Sequence, residues 1–201
     1  MGALLFIPWF KAEPILIPYP AFLPEIQGYG HHLPIQPFGL LVATGVLVGY
    51  QVAEARAKKV GVHPAVYADL AFHCVVSGFI FGHVLDAFFY HWPQVQAEPL
   101  YVLKLWDGLS SFGGFIGALV GAAVWRTRRK LSFLAVGDVV VYGFPFGWIF
   151  GRMGCFSVHD HPGAVTTFPL AVADYHIGNP PFQTRHDLGL YEVLFCLVLL
   201  P

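Results

Sequence analysis

The sequence predicts an all-α membrane protein, a polytopic transmembrane helical bundle with an N-terminal outer interfacial segment. Its composition is the first reason. Of the 201 residues, 56% are hydrophobic and only 11% are charged, and the mean hydropathy is +0.62. A soluble domain carries about 25% charged residues, so this chain has too little charge to cover a water-exposed surface. With 11 Lys and Arg against 12 Asp and Glu, it also has no basic excess for binding nucleic acid.

The second reason is the length of the apolar stretches, since a helix needs about 20 mostly apolar residues to cross a bilayer. Four stretches are long enough. A fifth begins near Leu188 and has only 14 residues before the sequence ends, so we expect an incomplete last span in a C-terminally truncated chain. The predicted spans are 34–53, 65–90, 109–125 and 131–150.

The first 33 residues differ from the remainder in being rich in proline and aromatic residues. Proline prevents a regular helix throughout this stretch. Aromatic side chains such as Trp9 and Tyr19 favour the headgroup region of a bilayer. We therefore predict an N-terminal interfacial segment over 1–33 and a transmembrane domain over 34–201.

Basic residues indicate the orientation of the spans. Two short loops, at 56–59 and 126–130, hold seven of the eleven Lys and Arg residues, whereas the loop at 91–108 has only Lys104. By the positive-inside rule, the two basic loops face the cytoplasm. The N-terminal stretch, the 91–108 loop and the 152–187 segment are therefore expected on the outer side.

Small residues recur every fourth position in the third and fourth predicted spans, which predicts close packing of these two helices against each other. Their glycines are Gly113, Gly117 and Gly121, then Gly143, Gly147 and Gly151.

The second predicted span carries two pairs of ionisable residues, which are costly inside a bilayer. Asp69 and His73 lie four residues apart, and His83 and Asp86 lie three apart, so the members of each pair can meet on a helix. Either pair is a buried polar contact, a proton relay or a substrate contact.

Arg152 lies among glycines at the outer end of the fourth predicted span, close to Cys155. Its planar guanidinium suits a phosphate or a carboxylate, and lipid headgroups are the nearest anions at this depth. The position favours binding of a phospholipid phosphate, and a snorkelling anchor is the alternative.

The outer segment and the cysteines give little indication of a metal. On an extended strand, His159 and His161 would point the same way, but two ligands without a third are weak evidence. Cys74, Cys155 and Cys196 form no C-x-x-C pair. We therefore predict no metal site. Further along, Glu192 places an acid at the edge of the last span.

Several motifs together resemble one known family, the prolipoprotein diacylglyceryl transferases of bacterial inner membranes. The similarity runs from about Gln36 to the end of the chain. The motifs are Trp106-Asp107-Gly108, Phe112-Gly113-Gly114, Gly151-Arg152-Met153-Gly154, then Gly163, and Arg185-His186 ahead of Tyr191-Glu192.

This resemblance implies transfer of the diacylglyceryl group of phosphatidylglycerol to the cysteine thiol of a prolipoprotein signal peptide. It implies a multi-pass protein of the bacterial inner membrane, with the site toward the outer leaflet and no metal or organic cofactor. Arg152 would hold the departing phosphate. The substrate-binding residues implied are Gly113, Gly114, Gly151, Arg152, Gly154, Cys155, Gly163, Arg185 and Glu192.

Three positions depart from the pattern that the resemblance leads us to expect. Phe112 stands in place of a histidine, Cys155 in place of an asparagine, and Phe38 in place of a tyrosine. Another base would then be needed, and His83 is expected to be catalytic, with His159 and His186 as the other candidates, because imidazole titrates near neutrality. There are two alternatives. One is transfer to a different acceptor, and the other is a homologue that binds anionic phospholipid or signal peptide without transfer.

Overall fold

The computed structural model describes residues 6–8, 12–26, 28–104, 108–130, 132, 134–174 and 183–200. Within these ranges the chain is mainly helical. The predictions for Trp9, Trp106 and Asp107 lie outside the described residues. The helices are α1 (Pro37–Lys59), α2 (Pro64–Tyr90), α3 (Trp92–Ala97), a 3-10 helix (Pro99–Leu103), α4 (Ser111–Arg129), α5 (Leu134–Val158) and α6 (Leu188–Leu199).

Within the part of the chain that the structure describes, three helices are long and apolar enough to cross a membrane: Pro37–Lys59, Pro64–Tyr90 and Val136–Val158. The predicted polytopic helical class is confirmed. α4 has 19 residues, but its last turn holds three arginines, so its apolar part is shorter than that of the other three. α5 extends eight residues beyond the predicted end of the fourth span, because no proline or paired glycines follow Phe150 before Pro162. Arg152 therefore lies inside a helix rather than at its end.

Short strands form outside the long helices. β1 (Ile15–Pro18) pairs antiparallel with β2 (His32–Ile35), and the turn between them uses positive φ angles at Gly28 and Gly30, a conformation that glycine adopts without strain. β3 (Pro162–Val165), β4 (Val172–Asp174) and β5 (Gln183–Asp187) form an antiparallel sheet in the order β3-β5-β4. These strands were not predicted from the sequence. The predicted boundary after residue 33 stays a prediction.

The chain forms two compact units. One comprises Met1–Val52 with Gly143–Pro201, and the other comprises Ala53–Tyr142. In the second unit, α2 packs along α4. A Cβ at Gly117 would meet the backbone of Ser77 and lie 2.7 Å from the Cβ of Phe81, so only glycine allows this approach. Ser77 Oγ also donates a hydrogen bond of 2.7 Å to the Gly117 carbonyl, which joins the two helices.

The first unit contains the other set of glycines. A Cβ at Gly147 of α5 would lie 2.7 Å from the Gly45 carbonyl oxygen of α1, and one at Gly49 of α1 would lie 3.4 Å from the Gly143 carbonyl oxygen. Glycines of each series therefore mark a close helix contact, with α2 in the case of α4 and with α1 in the case of α5. Val136 of α5 also shares a buried cluster with Ala122 and Trp125 of α4. The predicted packing of the two glycine series against each other stays a prediction.

One of the two polar contacts predicted in the second span is present: His73 Nδ1 lies 3.7 Å from Asp69 Oδ1. The Asp69 carboxylate accepts a 2.7 Å hydrogen bond from Arg129 Nε of α4, while His73 Nδ1 lies 2.7 Å from the Asp69 backbone oxygen. The contact between Asp69 and Arg129 anchors one end of α2 to the last turn of α4. Near the other end, His83 and Asp86 do not bond to each other. They bond to Gly108 and His91, respectively.

We predict that Gly117→Ala destabilises the chain by about 1–3 kcal/mol, because the added methyl group overpacks the α2–α4 contact. A lower midpoint of thermal unfolding in detergent would measure this. Gly39→Ala is the matched control, since Gly39 lies in a helix with nothing within 4 Å of the position that an added methyl group would take. An unchanged midpoint for Gly117→Ala would contradict the close approach.

Candidate functional site

The centre of the candidate site is an ion pair between buried Arg152 of α5 and Glu192 of α6, whose side chain is 42% exposed. Arg152 is only 5% exposed, and its Nη2 donates a 2.7 Å hydrogen bond to Glu192 Oε1. Trp148, one turn earlier in α5, donates from Nε1 to Glu192 Oε2 at 3.0 Å, and the Arg152 Cζ lies 5.7 Å from the Trp148 ring. Both carboxylate oxygens are thus engaged, which fixes the orientation of the guanidinium. Trp148 was not predicted as a site residue.

The guanidinium keeps donor capacity for a ligand. Arg152 Nε is buried and has no hydrogen-bond partner among the described residues, and Nη1 contacts only the Cys155 sulfur there, at 3.5 Å. Arginine has five N–H donors arranged for bidentate contacts with phosphate. An anionic group at this position would therefore find both charge and hydrogen-bond donors.

The first turn of α6 is held against α5 by a small residue. A Cβ at Gly189 would lie 3.1 Å from the Phe156 nitrogen and 3.2 Å from the Arg152 carbonyl oxygen. A larger residue at position 189 would push α6 away and lengthen the contact between Arg152 and Glu192. Gly189 therefore positions the ion pair, and nothing in the sequence pattern distinguished it from the other glycines.

A second buried pair fixes the ends of the same two helices. His159 Nδ1 lies 2.7 Å from Asp187 Oδ2, and both side chains are 1% exposed. Asp187 is also the N-cap of α6, because its Oδ1 accepts a hydrogen bond from the Leu190 nitrogen at 2.8 Å. His159 has a φ of +53°, a left-handed conformation that is uncommon for a non-glycine residue. One carboxylate thus connects the turn after α5 to the start of α6.

His159 and His161 do not share one face of a strand. The left-handed backbone at His159 breaks the alternation, so His159 points inward to Asp187 while His161 bonds to Asp160. His161 instead lies close to two other side chains that can bind a metal. One ligand atom from each of Cys155, Asp160 and His161 lies within 4.8 Å of the others. Such a set of donors could hold a metal ion.

Two other predicted residues, Gly163 and Arg185, lie on neighbouring strands and contact each other. Arg185 Nη1 donates to the Gly163 carbonyl at 3.1 Å, and Nη2 donates to Gln183 Oε1 at 3.1 Å. A Cβ at Gly163 would lie 3.0 Å from the Cβ of His186, so glycine permits this strand pairing. His186 in turn has its Nδ1 2.6 Å from the Tyr191 hydroxyl. The contact between His186 of β5 and Tyr191 joins the sheet to α6.

The glycines beside Arg152 differ in their surroundings. A Cβ at Gly154 would lie 3.1 Å from the Phe38 ring, so this glycine provides room for α1. Nothing lies within 4 Å of the position that a Cβ would take at Gly151, so this backbone is open. Phe38, one of the three unexpected residues, therefore packs on α5 close to the candidate site.

Three predicted residues, His83, Gly113 and Gly114, lie in the other compact unit. His83 is fully buried, and its Nδ1 is 3.3 Å from the Gly108 carbonyl. A Cβ at Gly113 would lie 2.6 Å from the Phe81 carbonyl, so this glycine serves the α2–α4 contact, whereas Gly114 has more room. A fully buried ring contacts protein on all sides, so the burial of His83 does not favour a direct role as a base. Its catalytic role stays a prediction.

Phe112 lies in the first turn of α4 and is 64% exposed. Together with Leu85, Phe89, Tyr90 and Ser110 it lines an open, mostly apolar depression in this unit. None of these side chains is an imidazole or a carboxylate, so the depression offers no strong proton acceptor.

The fold and the site define an integral membrane protein with a buried arginine suited to an anion. A family model described as prolipoprotein diacylglyceryl transferase matches residues 26–200, and the chain belongs to this family. A phosphatidylglycerol–prolipoprotein diacylglyceryl transferase of Chromohalobacter salexigens is 34% identical over 156 residues, 77% of this chain and 57% of that protein. One of the same name from Staphylococcus saprophyticus is 28% identical over 165 residues, 79% of this chain and 59% of that protein. The chain thus spans less than two thirds of the length of these relatives.

We predict that Asp187→Ala lowers the free energy of unfolding by about 3 kcal/mol, because it removes a helix cap and leaves buried His159 without its carboxylate. Unfolding in detergent, followed by circular dichroism, measures the change. Glu13→Ala removes an exposed carboxylate in the same unit and should have little effect. Equal stability of the two variants would contradict the anchoring role of Asp187.

Proposed function

We propose that this protein transfers the diacylglyceryl group of phosphatidylglycerol to the cysteine thiol of a prolipoprotein signal peptide. The observation that carries the proposal is the buried Arg152, which keeps an unpartnered Nε among the described residues. Membership of the family, and the names of the two relatives, support the choice of substrates.

The reaction makes two demands on the site. The acceptor thiol must lose its proton, because the thiolate is the nucleophile. The sulfur then bonds to the terminal glyceryl carbon while the bond from that carbon to the phosphate oxygen breaks, and glycerol phosphate leaves with the electron pair. Arg152 neutralises this departing anion, and a fixed charge in a site shielded from water stabilises it more than water would. Glu192 and Trp148 hold the guanidinium in place before the lipid binds.

The location proposed is the bacterial inner membrane, with the site toward the outer leaflet. Arg152 follows Lys130, the last basic residue of the second predicted cytoplasmic loop, by 22 residues. About 20 residues of helix cross the apolar core of a bilayer. This spacing supports a position for Arg152 at the level of the outer headgroups, where phosphatidylglycerol presents its phosphate.

A second candidate function is binding of anionic phospholipid or signal peptide without transfer. The apolar, exposed Phe112 favours it, since the family resemblance leads us to expect a histidine at this position. In this second function Arg152 still binds the lipid phosphate, but no proton acceptor stands at position 112 to take the thiol proton.

We predict that Arg152→Ala reduces product formation by about 10²–10³-fold, the usual effect of removing one group that stabilises developing charge. The assay is mass spectrometry of a cysteine-containing signal peptide incubated with phosphatidylglycerol and the protein in detergent. The expected product gains one diacylglyceryl group. Arg128→Ala, which removes an exposed arginine near the end of α4, should retain full activity.

The same experiment separates the two candidates. Unmodified peptide after incubation with folded protein that still binds phosphatidylglycerol would overturn transfer and support the binding function. In that case, Arg152→Ala should abolish binding of the lipid while Arg128→Ala retains it. Product from wild-type protein would exclude the second candidate.

A further inference from the structure

An aspartate and a histidine that directly follow α5 form a bonded pair that the phosphate chemistry does not use. Asp160 Oδ1 accepts a hydrogen bond from His161 Nδ1, since an ionised carboxylate can only accept. The Asp160 side chain is 39% exposed and that of His161 is 41% exposed. An imidazole that donates from Nδ1 has its lone pair on Nε2, where it can take up a proton. Because the two side chains engage each other, they form an acid–base dyad rather than a set of metal ligands.

The turn that presents this dyad is fixed by contacts with the start of α6. His159, in its left-handed conformation, reaches the buried carboxylate of Asp187. The His161 carbonyl oxygen accepts a 3.2 Å hydrogen bond from the Leu188 nitrogen, and Pro162 pairs with Asp187 in the antiparallel sheet. The backbone is therefore held on both sides of the His161 imidazole. A group that takes a proton from a substrate needs such support, because its reach is short.

The dyad also lies close to the guanidinium proposed to hold the phosphate. One ring nitrogen of His161 and one carboxylate oxygen of Asp160 lie within 4.8 Å of the Cys155 sulfur. The same sulfur is 3.5 Å from Arg152 Nη1, so the dyad and the guanidinium have Cys155 as a common neighbour. In a displacement at carbon, the entering sulfur approaches from the side opposite the leaving oxygen. The proton acceptor must therefore stand near Arg152 without being bonded to it.

The two histidines of this unit that the sequence singled out as bases are less suited to the task. His159 is bonded to Asp187, but both side chains are 1% exposed, so a substrate cannot reach the ring. His186 has its Nδ1 2.6 Å from the Tyr191 hydroxyl, and a neutral hydroxyl stabilises an imidazolium less than a carboxylate does. His161 combines an exposed ring with a carboxylate partner.

We propose that His161, oriented by Asp160, takes the proton of the acceptor thiol, an inference that rests on the proposed function. The S–H bond breaks, the proton goes to Nε2 of His161, and the electron pair stays on the sulfur. The sulfur then bonds to the terminal glyceryl carbon as the bond from that carbon to the phosphate oxygen breaks, beside Arg152. The dyad carries one negative charge before it takes the proton and none afterwards, and the imidazolium finally gives the proton to water. The dyad thus supplies the proton acceptor that Phe112 does not.

The role of His161 is tested with the mass-spectrometric transfer assay on the full chain in detergent. His161→Ala should reduce product formation about 10²-fold or more, the usual contribution of a general base. The midpoint of thermal unfolding should not change, because the side chain is exposed. Added imidazole should restore part of the activity of His161→Ala and none of that of Arg152→Ala. His32→Ala, which removes another exposed imidazole of the same unit, should retain full activity.

Full activity of His161→Ala would overturn the proposal. A loss that imidazole does not restore, or that accompanies a lower unfolding midpoint, would overturn the role as a base.

Asp160 is a positioning residue in this proposal, and its variants separate orientation from structure. Asp160→Asn should lower kcat about tenfold or more, as part of the contribution of the base, and leave the KM for phosphatidylglycerol unchanged. Asp160→Glu, which keeps the carboxylate, should recover part of this loss. Equal losses in the two variants, or a change in KM alone, would overturn the dyad.

Ionisation of the acceptor thiol is measured without transfer by the alkylation of a cysteine-containing signal peptide with iodoacetamide. At pH 7 a free thiol is only a few per cent ionised, so peptide bound to wild-type protein should react about tenfold faster than free peptide. His161→Ala should lose this acceleration and His32→Ala should keep it. Acceleration without any transfer would leave the dyad standing and overturn the proposed function instead. Transfer without acceleration would overturn the dyad and leave the proposed function standing.

Discussion

The contact on which the rest of the candidate site depends is the buried carboxylate of Asp187. It accepts a hydrogen bond from the first turn of α6 and bonds to His159 at the end of α5. Because the two contacts share one side chain, the end of one helix and the start of another are fixed together. The distance between Arg152 and Glu192, one on each helix, follows from this connection. The turn that carries Asp160 and His161 also follows from it.

Much of the helical architecture could be predicted, since it depends on the length of apolar stretches and on residue spacing, which the sequence shows directly. Apolar length predicted the helices, and glycine spacing indicated where helices approach closely. The helices that cover those glycines could not be identified from the sequence, because a series of glycines shows that a face is flat and not which helix packs on it. The expected contact between His83 and Asp86 is absent because each side chain approaches a polar atom outside α2, the Gly108 carbonyl oxygen and the His91 ring, respectively.

The site itself was predicted in part. Arg152 was selected from local chemistry, and Cys155 and Glu192 from the family resemblance. The structure brings the three side chains into one cluster, and their roles stay predictions. Trp148 and Gly189 were missed, because an indole that orients a carboxylate and a glycine that admits a helix have no signature in a single sequence. The conformation of His159 was also beyond prediction: a left-handed histidine is selected by the buried carboxylate it reaches, and that contact joins residues 28 positions apart.

In the proposed transfer, both substrates have the same electrostatic need near Cys155. A phosphate that leaves as an anion needs a positive neighbour, and a thiol that must ionise beside it needs one as well. Two anions side by side repel each other in an apolar medium unless each has its own cation. In that reaction Arg152 would serve the phosphate, and its pairing with Glu192 limits how much of its charge reaches the thiol. Asp160 adds a negative charge near Cys155 and would raise rather than lower the cost of a bare thiolate there. The guanidinium of Arg152 is therefore shared between two needs, and Glu192 and Trp148 fix its orientation before either anion forms.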